Sequence, residues 1–255
     1  MKAFTGTAAL ALAFLLSSCG GEGNGQGSGG DKAGAGGGAP VASIPAPNGG
    51  DWTQTVTQSP EGGFVMGNPN APVKVIEYAS FTCGACAKFS ETGAPQLKDK
   101  YIKTGQVSLE FRHLVRDPAD LAASLIARCG GPTPFFTLTE QLFASQSEWL
   151  GAMQTALTPA DQQAMQAMAP AQVAVTIGEK AGLIQFARVR GIPEDKARAC
   201  LADQQATERL VAMTNEGVEK YEVAGTPSFV INGELWGADA DWSKLEPDIR
   251  KALGQ

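Results

Sequence analysis

The sequence is poor in groups that hold metals. His113 is its single histidine, and apart from Cys83 and Cys86 no two cysteines lie close together. A tetrahedral zinc site here would have to recruit Cys129, Cys200 or carboxylates from far along the chain, so no metal is expected. Clusters of basic residues are lacking too: 20 Lys and Arg face 26 Asp and Glu, for a formal charge of -6. That balance argues against nucleic acid or a polyanionic lipid surface as a direct partner. Long apolar runs are also missing, since the stretch from Ala3 to Leu16 is too short for a comfortable membrane-spanning helix. What is present, 43% hydrophobic residues over a length of 255, suffices for a globular core in one moderate domain or two small ones.

The short apolar run reads as a targeting segment, with Lys2 as its positive n-region and Leu16-Ser17-Ser18-Cys19 as its end. This ending resembles the lipobox of bacterial lipoproteins. The resemblance implies a lipoprotein signal peptide over residues 1–18, lipid modification of Cys19, and a place in the bacterial cell envelope on the periplasm-facing side of a membrane. An ordinary signal peptide with a chance cysteine is the other reading. Residues 19–51 are dominated by Gly with Ala, Pro, Ser and Asn, which gives a flexible tether. About 30 residues of such coil span roughly 30 Å r.m.s.. The folded unit is therefore expected over residues 52–255, beginning near Trp52.

Five cysteines are an awkward number in an oxidising compartment until each is assigned. Cys19 belongs to the lipobox, and Cys83 with Cys86 forms a Cys-x-x-Cys pair. Cys129 and Cys200 are left as the candidates for a structural disulfide, or as simple buried thiols. Cys129 shares a helical face with Leu121 and Leu125, which points it into a core. Closing the loop of about 70 residues between the two would stabilise the fold by roughly 4 kcal/mol on the chain-entropy estimate.

Along the domain, Val73 to Ala79 reads as a buried strand interrupted only by Lys74 and Glu77. Ser80-Phe81-Thr82 then forms a turn, and Cys83 through Lys100 has helical composition. Gln106 to Arg112 alternates as a second strand. A helical block of about 117–222 follows, with spacing for helices near 121–129, 135–143, 159–168, 183–190, 195–202 and 209–221. Gly130-Gly131-Pro132, Pro170, Gly182 and Gly191-Ile192-Pro193 separate them. Ser228 to Ile231 returns to strand, Asn232-Gly233 signals a hairpin, Glu234 to Trp236 supplies the return, and a helix runs from about Trp242 to Leu253.

A thiol attacks disulfides as the thiolate, of which an ordinary cysteine of pKa near 8.5 holds only about 3% at pH 7. Helix N-terminal N–H groups and the helix dipole favour the anion. Cys83 at a helix start is thus the expected accessible nucleophile, with Cys86 one turn later as the resolving thiol. The stretch from Tyr78 through Cys83-Gly84-Ala85-Cys86 to Phe89, taken with Gly225-Thr226-Pro227-Ser228-Phe229-Val230-Ile231-Asn232-Gly233, resembles the DsbA-like branch of the thioredoxin superfamily. That resemblance covers about Trp52 to the C-terminus. It implies an α/β thioredoxin-like fold with an inserted helical domain, and a thiol:disulfide oxidoreductase that works without a cofactor. It also implies that Pro227 is cis and lies against the redox pair, that the backbone of Thr226 pairs with bound peptide, and that Glu77 accepts a proton from Cys86. Burial of Glu77 against a basic partner, or its exposure near a strand end, are the competing readings.

The implied partners are exported cysteine-containing proteins and a membrane redox partner for recycling, with the protein acting as a monomer. Gly84-Ala85 lacks the histidine that strongly oxidising members carry between their cysteines, and Thr226 resembles the threonine of isomerase or reductase relatives. The direction, oxidation against isomerisation or reduction, stays open. A noncatalytic lipoprotein binding peptides or metals and a glutathione-dependent enzyme of the same fold are disfavoured by retention of both Cys83 and Cys86. His113 is read as structural or surface, and Phe135-Phe136, Trp149, Met153, Met165 and Met168 as helix core.

Overall fold

The computed structural model describes residues 41–255. The leader, Cys19 and the tether up to residue 40 lie outside the described residues. The folded unit takes in chain ahead of Trp52. The Val41 N–H donates to the Leu253 carbonyl at 3.0 Å, the Ile44 N–H to Thr104 at 2.8 Å, and the Trp52 indole to Ile44 at 2.6 Å. Side-chain composition conceals this attachment because main-chain groups make it.

Six strands form one sheet: β1 (Val56–Gln58), β2 (Phe64–Gly67), β3 (Val73–Ala79), β4 (Val107–His113), β5 (Ser228–Ile231) and β6 (Glu234–Gly237), in the order β1-β2-β4-β3-β5-β6. Only β3 and β4 run parallel. β3 is central, paired on both sides, which explains its continuous β-branched and aromatic character. The Asn232-Gly233 turn joins β5 to β6, both residues with positive φ. The β1–β2 ribbon was not legible in the sequence, since strands of three and four residues give too short a period to register.

The helices are α1 (Gly84–Thr92), α2 (Ala94–Leu97, running on into a π turn at Lys98–Ile102), α3 (Pro118–Arg128), α4 (Pro132–Ala144), α5 (Gln146–Ala156), α6 (Pro159–Met165), α7 (Pro170–Lys180), α8 (Leu183–Arg188), α9 (Glu194–Leu201), α10 (Gln204–Tyr221) and α11 (Trp242–Ala252). Where composition suggested one helix from Cys83 to Lys100, Gly93 separates α1 from α2. A side chain there would meet the Phe89 ring 2.4 Å from its Cβ, and Pro95 starts the next turn. Pro170 begins α7 instead of ending a helix, because the first helical position has no N–H to lose. The Thr158 hydroxyl and the Asp161 carboxylate cap the start of α6 reciprocally.

The helices between β4 and β5 and the sheet share one core. Phe64 stacks on Phe135 of α4 with ring centroids 4.1 Å apart, and Phe81 meets Phe143 at 4.9 Å. On the other face, Arg112 of β4 is buried and bonds Glu110 at 2.8 Å, Glu216 of α10 at 2.8 Å and the Tyr78 hydroxyl at 3.2 Å. Gly217 lets α10 lie against Tyr78, because a Cβ there would stand 2.6 Å from the ring. Among the described residues no helix is long and apolar enough to cross a membrane.

Candidate active site

β3 ends at Ala79, and the pairing of Tyr78 with Ser228 sets the residues just before β5 beside that end. Two segments separated by about 140 residues of chain thereby meet. Ser80-Phe81-Thr82 leads from β3 into α1, and Cys83 is the N-cap residue of that helix, extended in its backbone, with Sγ accepting from the Cys86 N–H at 3.4 Å. The Thr226–Pro227 bond is cis. As a thiol, Cys83 donates from Sγ to the Thr226 carbonyl at 3.1 Å. Cys83, Cys86, Thr226 and Pro227 therefore form one locus.

Cys83 was expected to be accessible, but only 5% of it is exposed, against 0% for Cys86. The exposed part of the motif is Gly84-Ala85. Position relative to the helix separates the two thiols. The Cys86 thiol, Thr226 and the backbone N–H groups of Cys86 and Ala85 together pull Cys83 down to about 5, against the opposing effect of burial. Burial first, then the Cys83 sulfur and the Glu77 carboxyl, push Cys86 far above the ordinary thiol range. One sulfur is thus an anion at neutral pH and its neighbour keeps its proton.

Glu77 lies beneath the pair on β3, 4% exposed, in register with Phe111 on one side and Phe229 on the other. Burial and then the Cys83 charge push its carboxyl up to about 8. Among the described residues no cation lies within ion-pair distance of it, which removes the basic-partner reading, and its burial removes the strand-end one. A cavity of about 30 Å³ touches Glu77 and is lined also by Ser90, Lys98, Thr139 and Glu140. Lys98 and Glu140 are paired at 3.5 Å at the half-exposed side.

Sequence reasoning missed the residues that hold the loop before Cys83. Asp117 uses one carboxylate oxygen to cap α3 through the Asp120 N–H at 2.9 Å and the other to accept from the Thr82 hydroxyl at 2.6 Å. Asp120 accepts from the N–H of Phe81 at 2.7 Å and of Arg116 at 3.1 Å. Burial pushes the Asp120 carboxyl up to about 7 against the pull of these bonds. Gln146, the first residue of α5, donates to the carbonyls of Phe81 at 2.8 Å and Cys83 at 3.0 Å. Arg116 reaches the Thr226 hydroxyl at 3.3 Å. Only Asp117-Pro118 carried a sequence signal, that of an N-cap followed by proline at the first helical position.

Cys129 and Cys200 are bonded, with Cα atoms 5.7 Å apart, in the helical block. His113 is buried among Phe81, Phe111 and Phe135, neither ring nitrogen has a partner, and burial holds its pKa well below the ordinary value. Phe135, Phe136 and Trp149 are core, Met153 and Met165 are half-buried, and Met168 is 37% exposed. Among the described residues no group of three or more His, Cys, Asp or Glu side chains is placed to hold a metal.

A family profile described as thioredoxin matches residues 59–251. A Rickettsia bellii protein named as a protein-disulfide oxidoreductase is 30% identical over 174 residues, covering 68% of this chain. The chain spans only 58% of that relative's length. The crystal structure of a protein-disulfide isomerase from Novosphingobium aromaticivorans is similar with a TM-score of 0.70 and 33% identity, over 75% of this chain and 97% of that one. Wolbachia pipientis alpha-DsbA1, at 23% identity, shares the fold with a TM-score of 0.60 over 83% of this chain and 94% of that one. With two free cysteines heading a helix beside a cis-proline, and an α/β sheet interrupted by a helical block, the chain belongs to the thioredoxin family.

Proposed function

We propose that the protein is a thiol:disulfide oxidoreductase of the bacterial cell envelope that exchanges disulfides with exported cysteine-containing proteins. The observation that carries the reading is the placement of Cys83 Sγ between the Cys86 N–H at 3.4 Å and the Thr226 carbonyl at 3.1 Å. The Cys86 N–H favours the thiolate, the Thr226 carbonyl accepts from the thiol form, and the sulfur faces the strand start where an extended peptide can pair with the backbone of Thr226, with Pro227 as the opposing wall.

In the oxidising direction a substrate thiolate attacks Cys83 Sγ of the Cys83–Cys86 disulfide. The S–S bond breaks, Cys86 leaves as thiolate, and protonated Glu77 returns a proton to it. A second substrate thiolate then attacks its own sulfur in the mixed disulfide, expelling the Cys83 thiolate and leaving the substrate oxidised. In the reverse direction Cys83 thiolate opens a substrate disulfide. Cys86 then gives its proton to ionised Glu77 and attacks Cys83, which releases the reduced substrate. A low thiol pKa makes Cys83 the better leaving group and favours oxidation. Isomerisation or reduction is the second reading, supported by the name of the Novosphingobium neighbour and by Thr226 before the proline. Oxidation calls for an oxidising membrane partner, isomerisation for a reducing one. Cys129–Cys200 serves as a brace, and Cys19 as the lipid anchor.

A Cys86→Ala variant expressed in its native envelope tests the reading, because mixed disulfides then accumulate on Cys83. Mass spectrometry of the trapped partners should return exported proteins and one membrane redox protein. Absence of any adduct at Cys83, with no turnover of reduced or scrambled substrates by the wild type, contradicts it. For the anchor, Cys19→Ser should release the protein from the membrane fraction and remove incorporated fatty acid.

A further inference from the structure

The helical block does more than cover the sheet. It holds the main chain that carries the nucleophile. Phe81 is gripped at both backbone ends by that block, its N–H by Asp120 of α3 and its carbonyl by Gln146 of α5. The second N–H of the Gln146 amide is spent on the carbonyl of Cys83 itself. Resting on the exchange function proposed above, we propose that Gln146 is a positioning residue that sets how readily Cys83 ionises.

The chemistry follows from what each group contributes. A side-chain amide has two N–H donors. At the first position of a half-buried helix they would ordinarily go to solvent, whereas here both reach main-chain acceptors 63 and 65 residues away in sequence. The Cys83 carbonyl already accepts the first α1 bond, from the Ala87 N–H at 3.2 Å. Gln146 adds a second donor to it. By fixing the carbonyls on either side of Thr82, the amide fixes the direction in which α1 leaves the loop. It therefore also fixes the aim of the Cys86 N–H at Cys83 Sγ. The same two bonds offset the partial negative charge of the two carbonyls that flank Thr82 in the loop leading to the sulfur. Asp117 and Asp120 hold the loop as well, but each is an acceptor of N–H or O–H groups. Among the described residues Gln146 is the side chain of the helical block that donates to it.

The test is the pH dependence of Cys83 alkylation in the reduced full-length protein, mapped by mass spectrometry, for wild type, Gln146→Met and Gln146→Ala. Met keeps the bulk of the side chain and removes both donors. Ala is favourable in helices, so it covers the case in which Met packs badly. The midpoint should rise by about one on the pH scale in both variants, corresponding to the loss of one to two ordinary hydrogen bonds. Alkylation at a pH below the wild-type midpoint should then slow by about fivefold to tenfold, with the plateau at higher pH retained. A merely structural role would lower the melting temperature and leave the midpoint in place. A folded variant with the wild-type midpoint overturns the inference. Alkylation reads the thiolate without any substrate, so a wild type lacking exchange activity refutes the proposed function while the Gln146 result is still decided by the midpoint.

Discussion

Cys83 and Cys129 are almost equally hidden, at 5% and 8% exposure, with Cys200 half-buried, yet the two cysteine pairs sit at opposite ends of helices. Cys83 caps the N-terminus of α1, where free N–H groups point at its sulfur. Cys129 follows the last turn of α3, and Cys200 lies in the last turn of α9, so both occupy helix C-termini, where free carbonyls and the negative dipole end disfavour a thiolate. Burial therefore does not by itself separate Cys83 from Cys129. The helix end does. At one end the anion that the proposed exchange needs is favoured; at the other the thiols are best used up in a bond.

The largest effects come from removing each pair in turn. Cys83→Ala should abolish disulfide exchange, whereas the double variant Cys129→Ala/Cys200→Ala should keep it, as measured by turnover of a reduced peptide. That double variant should instead lose about 4 kcal/mol in denaturant unfolding, the loop-closure entropy of the lost cross-link. Exchange activity that disappears with Cys129 and Cys200 while the fold persists would place the chemistry in the wrong pair.

A smaller effect separates the reduced from the oxidised redox pair. The folded Cys83 thiol sits near 5, below the unfolded value, so its thiolate stabilises the reduced fold. That contribution is complete above the ordinary thiol range of about 8.5 and is lost as pH falls to about 5. Thermal unfolding should therefore find the reduced protein more stable than the oxidised one at neutral pH, with the gap closing towards pH 5. A gap that does not change with pH would remove the helix-end explanation.

Smallest in activity, Glu77 sharpens the contrast between the thiols. Its folded carboxyl is raised to about 8, so the folded state binds the extra proton, and stability falls as pH rises from the ordinary carboxylate range through 8. Glu77→Gln should raise the melting temperature above pH 8 and change it little near the ordinary carboxylate pKa. The same variant should flatten the pH dependence of the Cys86 resolving step in stopped-flow traces. An unchanged profile would leave Glu77 a buried acid without a role in proton transfer.

The motif, the central strand and the face of Glu77 were readable because each is a local pattern. Val73, Val75 and Glu77 share one side of β3 by alternation alone. α5 and α7 were not readable, because one begins at a serine with no side-chain cap bond and the other at a proline that looks like a stop. The clasp on Phe81 was beyond reach for a different reason. Asp120 and Gln146 lie 39 and 65 residues from it, and one long-range hydrogen bond leaves no period in a sequence. The docking of Val41 and Ile44 was hidden likewise, being made through main-chain groups.

Alkylation of the reduced protein across pH, with each modified cysteine identified by mass spectrometry, reads the ionisation of the two thiols separately. Cys83 should react with a midpoint near 5 while Cys86 stays unmodified through neutral pH. Equal reactivity of the two, or a Cys83 midpoint in the ordinary thiol range of about 8.5, would contradict the account.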